Sequence, residues 1–232
     1  MFFLDYLATG GITPQQKITI VKSVATACRK HNIALIGGET ADMPDLYPKN
    51  ECDLAGTIIG AVKKSNLITG KTITQGDVLV GLPSTGLHTN GYSLVRNVFK
   101  LRPKHNTLQR RKKILAKHYP ELSTTLENAL LVPHKSYYNE LFPHLKHIKG
   151  LAHITGGGIE GNVQRILPRN ACAVIQCNNW NIPPLFQLIQ TQGRVATQEM
   201  YNVFNMGVGM IAVVAPQNTD TCLLYTSPSP RD

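Results

Sequence analysis

Residues 81–93 read Gly81-Leu82-Pro83-Ser84-Thr85-Gly86-Leu87-His88-Thr89-Asn90-Gly91-Tyr92-Ser93, an apolar run released into small, hydroxylated and imidazole side chains. The pattern over 77–82 predicts a strand, and Leu94, Val95 and Phe99 give residues 92–100 the apolar side of a helix. A turn of this composition suits an anion. Glycines let the backbone approach a ligand, and amides left free at a helix start favour negative charge. Ser84, Thr85 and Gly86 are the candidate phosphate cradle, with His88 and Asn90 beside it, and Thr89 and Asn90 are candidate N-caps. An ordinary strand-to-helix loop with a surface histidine is the other reading of the same residues.

Two further segments share that character. Residues 33–40, Ile33-Ala34-Leu35-Ile36-Gly37-Gly38-Glu39-Thr40, read as a short apolar strand ending in two glycines, a carboxylate and a hydroxyl. Ala152-His153-Ile154-Thr155 ends a strand in Gly156-Gly157-Gly158 and opens a helix over 159–167. Each such glycine costs backbone entropy, so three strand ends of this kind point to ligand chemistry more than to folding.

The elements that must hold these loops alternate helix and strand. Thr13 and Gln16 form a capping box with Pro14 at the first helical position, and Ile18, Val21, Val24, Ala25 and Cys28 give that helix an apolar stripe. Strands follow at 33–36, 54–62 and 77–82, expected to lie side by side with residues 37–40 at one end. The run 54–62 is too apolar to alternate, so cover on both faces is expected. From Leu130 a second unit is expected, with helices over 137–145 and 159–167 and a strand over 173–176. Further helices are expected after Pro183-Pro184 and over 198–204, and a last strand over 208–214.

In their order along the chain, these segments resemble aminoimidazole ribonucleotide synthetase, the phosphoribosylformylglycinamidine cyclo-ligase family of purine biosynthesis. The resemblance rests on residues 2–10, on Gly37-Gly38-Glu39-Thr40-Ala41-Asp42-Met43-Pro44 with Tyr47, and on 53–56, 84–96, 153–158 and 200–210. It implies a two-domain α/β (α+β) fold. Residues 1–100 would be the remainder of an N-terminal ATP-binding and dimerisation domain, its mostly antiparallel sheet pairing with a copy in a homodimer. Residues 101–129 would be a basic connector and 130–221 a partial C-terminal α/β domain, with the cleft between the two domains. The family's Asp-Gly-Val-Gly-Thr-Lys loop and Asn-Asp metal segment would precede Met1. Residues 222–232 match nothing in the family and read as a translated sequencing adapter, set aside from the fold.

The implied activity is an ATP-dependent ring closure of formylglycinamidine ribonucleotide with Mg2+. Phosphoryl transfer is catalysed by positioning and charge neutralisation, to which these residue types are suited. The resemblance makes His88, Asn90 and His153 the catalytic candidates and Glu39 the metal candidate, since magnesium prefers carboxylate and phosphate oxygens. Glu39 as a merely hydrogen-bonded or capping carboxylate stays open. Gly37, Gly38, Thr40, Ser84, Thr85, Gly86, Thr155, Gly156, Gly157 and Gly158 are the ATP- and phosphate-binding candidates. Asn205 and Gly207 would shape the cleft, and Asp5, at a strand end, would support the metal. Asp42 stands where the family more often has glutamate, and Pro133-His134-Lys135 where it has Pro-Thr-Arg. His105, His118, His134 and His147 read as solvated.

Composition sets the outer limits. The 232 residues are 42% hydrophobic and 16% charged, which is globular rather than disordered. No apolar run reaches the ~18 residues that span a bilayer, and no leader is recognisable, so a cytoplasmic protein without a membrane partner is expected. Of five cysteines, Cys222 falls in the tail set aside, and Cys28, Cys52, Cys172 and Cys177 show no CxxC spacing and read as reduced. Net charge is +10, concentrated over residues 100–117, yet no aromatic is interleaved there to stack bases. Nucleic-acid binding is therefore the weakest alternative, behind another ATP-using enzyme of the same superfamily, thiamine-monophosphate kinase-like, or an inactive fragment.

Overall fold

The computed structural model describes residues 1–221, and these divide into two compact units, Met1–Leu67 and the chain from Ile68 onward. The first unit runs β1 (Phe2–Thr9), α1 (Pro14–Lys30), β2 (Ala34–Asp42) and β3 (Cys52–Ile59). Helix α1 starts where the sequence places it. Thr13 accepts from the Gln16 amide, Gln16 returns the bond to the Thr13 amide, and Pro14 opens the first turn.

The sheet has the order β2-β1-β3, with β1 parallel to β2 and antiparallel to β3. It is therefore mixed rather than mostly antiparallel. The expected neighbours 33–36 and 54–62 are separated by β1, and the strand over 77–82 belongs to the other unit's sheet. Every residue of β3 is exposed among the described residues, so the expected cover on both faces is not seen there. Within α1, Ile18 and Val21 are exposed and Cys28 alone of the stripe is buried.

The second unit contains β4 (Val78–Pro83), α2 (Tyr92–Val98), α3 (Leu108–Leu115), β5 (His118–Tyr119), β6 (Thr124–Thr125), α4 (Leu126–Leu130) and α5 (Tyr138–Leu141). Then come β7 (Ile148–His153), α6 (Gly158–Val163), α7 (Pro184–Gly193), α8 (Thr197–Val203) and β8 (Val208–Val214). Its main sheet has the order β4-β8-β7, and β8 is antiparallel to both neighbours. Met210, Ala212 and Val214 pack with Val80, Leu82, Tyr137 and Leu141 on one face. Val208 and Ile211 pack with Ile154, Ile159 and Val163 on the other. Burial on both faces explains why residues 208–214 are apolar without alternation.

A third, helical core joins Leu87, Val95, Leu126, Phe186, Met200 and Phe204, with the Phe186 and Phe204 rings edge-on at 5.8 Å. Residues expected as a connector contribute to it through α3 and α4: Leu126 is buried in it, and Ile114 and Leu115 pack against the cluster. The sequence puts the boundary within 101–130; the compact units part between Leu67 and Ile68. The expected helix over 137–145 shortens to α5 followed by a 3-10 turn, Phe142–His147. Residues 173–176 form no strand, and residues 222–232 lie outside the described ones.

At the end of the sheet where β4 begins, Asp77 is tied to Lys149 of β7 at 2.7 Å and to the Thr74 amide at 2.8 Å. Burial alone would raise the Asp77 carboxyl, but the Lys149 ammonium and the Thr74 amide outweigh it and hold the carboxyl below its usual 3.8. A folded value below the unfolded one gives stability that is present above pH 3.8 and is lost at lower pH, as pH falls through the folded value. Asp77→Asn is expected to lower stability at pH 7 by ~2 kcal/mol and to lack this acid limb. Urea unfolding from pH 3 to 7 checks both effects.

Candidate active site at the β4 and β7 strand ends

Sheet register places the loops. Pro83, ending β4, is paired with Val208, and His153, ending β7, is paired with Met210. Both strands therefore release their loops beside the entry to β8. The glycine-rich segments 84–91 and 154–158 meet there with Asn205 and Gly207. Two are joined directly: the Gly156 amide donates to Asn90 Oδ1 at 3.1 Å.

Asn205 clamps the loop over 84–86. It is buried, its Oδ1 accepts from Ser84 Oγ and from the Gly207 amide, and its Nδ2 donates to the Gly86 carbonyl, each at 2.9 Å. Thr85 uses both of its donors, the hydroxyl to the Pro133 carbonyl at 2.9 Å and the amide to His88 Nε2 at 3.1 Å. Ser84, Thr85 and Gly86 thus make bonds that shape their own loop. The N-cap of α2 is Gly91, with φ 79° and no side-chain cap, so Thr89 and Asn90 do not cap it. Asn90 instead reaches the neighbouring loop.

The glycine run is held from within by Asn162, a buried residue to which the sequence assigns no role. Its Nδ2 donates to the Thr155, Gly156 and Gly158 carbonyls at 3.3, 3.3 and 2.7 Å, while its Oδ1 accepts from Thr155 Oγ1 at 3.1 Å. The Gly157 amide donates to the Asn202 carbonyl and the Gly158 amide to the Thr155 carbonyl. These amides are engaged, so an anion bound at Gly156 must take the place of Asn90.

Three imidazoles sit over these loops. His88 is 3% exposed and has φ 55°, a left-handed backbone uncommon for a side chain of this size. Its ring stacks on His134 at 4.0 Å, and His134 Nε2 lies 3.3 Å from His153 Nε2. Because Nε2 of His88 accepts the Thr85 amide, its ring proton is assigned to Nδ1, which is buried and unpartnered. Burial, then the charges of His134, His153 and Lys135, lowers the His88 pKa to about 4, so the ring is neutral at pH 7. Burial and His153 likewise lower His134. His134 is exposed, in line with the solvated reading, yet its ring stacks on His88. His88, expected to face a ligand, lies within the fold, and His153 is exposed.

Packing explains the glycine opposite. A Cβ at Gly209 would run into the Tyr137 hydroxyl and come within 3.1 Å of His88 Nδ1. Tyr137, also missed in the sequence, is buried and donates to the Pro83 carbonyl at 2.9 Å. Gly209→Ala is expected to push both rings and lower the melting temperature by several degrees, as ~1–3 kcal/mol of overpacking does. Differential scanning calorimetry reads it.

In the first unit, Gly37 and Gly38 do not end a strand. They continue β2, paired with Leu4 and Asp5 of β1. Asp5 is mid-strand, and its carboxylate lies where a Gly38 side chain would be. Glu39 pairs with Tyr6, one residue on, so Glu39 and Asp5 project from opposite faces of the sheet. Thr40 likewise projects opposite Glu39, whose Oε1 accepts the Thr40 amide at 2.9 Å. Asp42 is taken up by Lys17 at 2.7 Å and by Thr9.

Solved structures share this fold. Thiamine monophosphate kinase of Aquifex aeolicus superposes with TM-score 0.59 at 11% identity, over 93% of this chain and 65% of that one. The hydrogenase maturation protein HypE of E. coli gives 0.58 at 15% identity, over 97% and 62%. At such identities the likeness is one of fold. The model for the AIR synthase related protein C-terminal domain matches residues 74–225, and that for the N-terminal domain matches residues 1–62. The chain therefore belongs to the AIR synthase related protein family. The phosphoribosylformylglycinamidine cyclo-ligase of Cupriavidus pinatubonensis is 44% identical over 97% of this chain and 62% of its own length. That of Enterococcus faecalis is 46% identical over 95% and 63%. The chain spans about three fifths of these curated relatives.

Proposed function

We propose that this chain is part of an enzyme that cyclises formylglycinamidine ribonucleotide to aminoimidazole ribonucleotide, with ATP converted to ADP and phosphate. Identity of 44–46% to proteins named for that ligase supports the reading. The observation that carries it is the Asn90–Gly156 bond, which draws two glycine-rich loops into one site beside the histidines.

In this reading ATP phosphorylates the substrate's formamide oxygen, giving an imidate phosphate. A nitrogen of the same molecule attacks the activated carbon, phosphate leaves, and a proton is lost as the ring closes. Ser84 to Gly86 and Thr155 to Gly158 provide the backbone wall for phosphate, with Asn90 yielding its place on the Gly156 amide. His153 is an exposed imidazole suited to the moving proton. His88, buried beneath, positions it through the His134 stack and fixes the Thr85 amide.

Gly37, Gly38 and Thr40 are strand residues flanking Glu39 in β2 rather than members of a free loop. Glu39 is exposed and offers one carboxylate, and magnesium is commonly held by one or two carboxylates with phosphates and water completing the shell. The residues fit a supporting ligand, and the ion when bound neutralises phosphate charge. Glu39→Gln, in a protein of the relatives' length carrying this chain, is expected to raise the Mg2+ needed for half-maximal turnover about 10-fold.

A homodimer is part of the proposal. Leu54 and Ile58 are exposed on the face of the first unit's sheet opposite Glu39, and a second copy would cover them. Among the described residues no helix is long and apolar enough to cross a membrane, and a cytoplasmic location is proposed. The test is ATP consumption by that longer protein. Hydrolysis dependent on formylglycinamidine ribonucleotide, with an aminoimidazole product, is expected. Phosphorylation of thiamine monophosphate without ring closure would overturn the assignment.

A further inference from the structure

Two imidazole nitrogens on different elements lie unusually close in this cluster. His153 ends β7, His134 lies in the segment before α5, and their Nε2 atoms are 3.3 Å apart. At that distance one ring can donate its Nε2–H to the other, or both can turn their lone pairs to one ion. A tetrahedral ion with metal–nitrogen bonds of ~2.0–2.1 Å sets two of its ligands ~3.3–3.4 Å apart, which is the spacing found. The ring centroids are 5.2 Å apart, a separation that two imidazoles sharing one tetrahedral ion through Nε2 would have. His88 brings a third nitrogen, and the ligand atoms of all three lie within 4.8 Å of one another.

His88 plays a different part, however. Its ring is stacked on His134 at an angle of 19°, and its Nε2 holds the Thr85 amide, so its lone pair is not aimed at the point between the other two. It buttresses the His134 ring. The adjacent positive charge of Lys135 is partly balanced by Glu140 at 3.4 Å.

We infer that His134 and His153 form a binding site for a borderline divalent transition metal, Zn2+ above all, with its remaining positions open to water or an anion. Imidazole favours such ions, whereas Mg2+ favours oxygen, so this site is separate from the one assigned to Glu39. Metal bound here would sit on the exposed imidazole at the end of β7. The inference rests on ring geometry and holds whether or not the chain cyclises its proposed substrate.

The test uses the full chain with its thiols alkylated, because Cys52, Cys172 and Cys177 are exposed and would also take zinc. Calorimetric titration with Zn2+ in a non-coordinating buffer at pH 7.5 should show one ion per chain. His134→Thr and His153→Gln should each weaken it by ~100-fold or more, while His118→Gln, at an exposed histidine elsewhere, leaves it unchanged. X-ray absorption at the zinc edge of the unsubstituted chain should read two imidazole nitrogens. Fewer than two, or full affinity retained by either ligand variant, would sink the assignment. Circular dichroism on each variant separates loss of a ligand from loss of fold; if a variant unfolds, the absorption result decides.

Discussion

His88→Ala is expected to cut turnover of formylglycinamidine ribonucleotide by about 10²-fold in a protein of the relatives' length, and His88→Gln to recover most of it. Position is the reason. The ring is 3% exposed, its Nε2 holds the Thr85 amide at 3.1 Å, and its face supports His134. Alanine removes all three contacts and frees the loop over 84–91, and a displacement of ~1 Å at reacting groups can cost ~10²-fold. Glutamine can set its amide oxygen where Nε2 stood and keep Thr85 in place, though it cannot relay a proton. Recovery by glutamine would identify His88 as a positioning residue. Equal loss in both variants, with the fold intact by circular dichroism, would return the proton-handling role to His88 itself. The pH profile gives a second readout. With a folded value of about 4, His88 is neutral across pH 6–8, so its removal should leave the profile in that range unchanged.

Several elements were legible because their signals are local. The Thr13 capping box needs only four residues, and it forms as written. Residues 208–214 read as a strand because burial on both faces demands an unbroken apolar run. Pro184 opens α7 where the proline pair predicts. Gly37-Gly38 shows the limit of such reasoning. The glycines look like a loop, yet pairing with Leu4 and Asp5 carries the strand through to Asp42. That pairing is made by residues about 33 positions away, and nothing local announces it. Residues 173–176 fail in the opposite direction, apolar enough for a strand but with no partner strand beside them.

The site divides in the same way. Glycines, His88, Asn90 and His153 could be picked out by type because they sit in short, unusual strings. Asn162 lay in one of those strings too, and its four-residue spacing from Gly158 was the missed signal: on a helical turn it brings the amide under the glycine carbonyls. His134 had no such signal. Its neighbours His88 and His153 are distant in sequence, and a histidine flanked by Pro133 and Lys135 looks like surface. Register between β4, β8 and β7 is what draws those segments to one end of the sheet.

Two glycines three residues apart in α6 should respond oppositely to the same substitution. Gly158 has φ 62°, and a Cβ there would collide with the Tyr201 carbonyl in α8. Left-handed backbone costs an alanine ~1–2 kcal/mol, and the overlap is with backbone, so α6 and α8 must part to relieve it. Overpacking of that kind adds ~1–3 kcal/mol. Gly158→Ala should therefore lose ~3 kcal/mol or more, a large share of the ~5–15 kcal/mol typical of a domain. A Cβ at Gly161 would meet nothing within 4 Å, and the backbone there lies outside the left-handed region. Alanine at that position only restricts the unfolded chain and should stabilise by ~0.5–1 kcal/mol. Chemical denaturation of both variants beside the parent chain measures the pair. Equal tolerance at the two positions would mean that the α6–α8 contact yields without cost, and the glycine run would then owe its composition to a bound ligand rather than to packing.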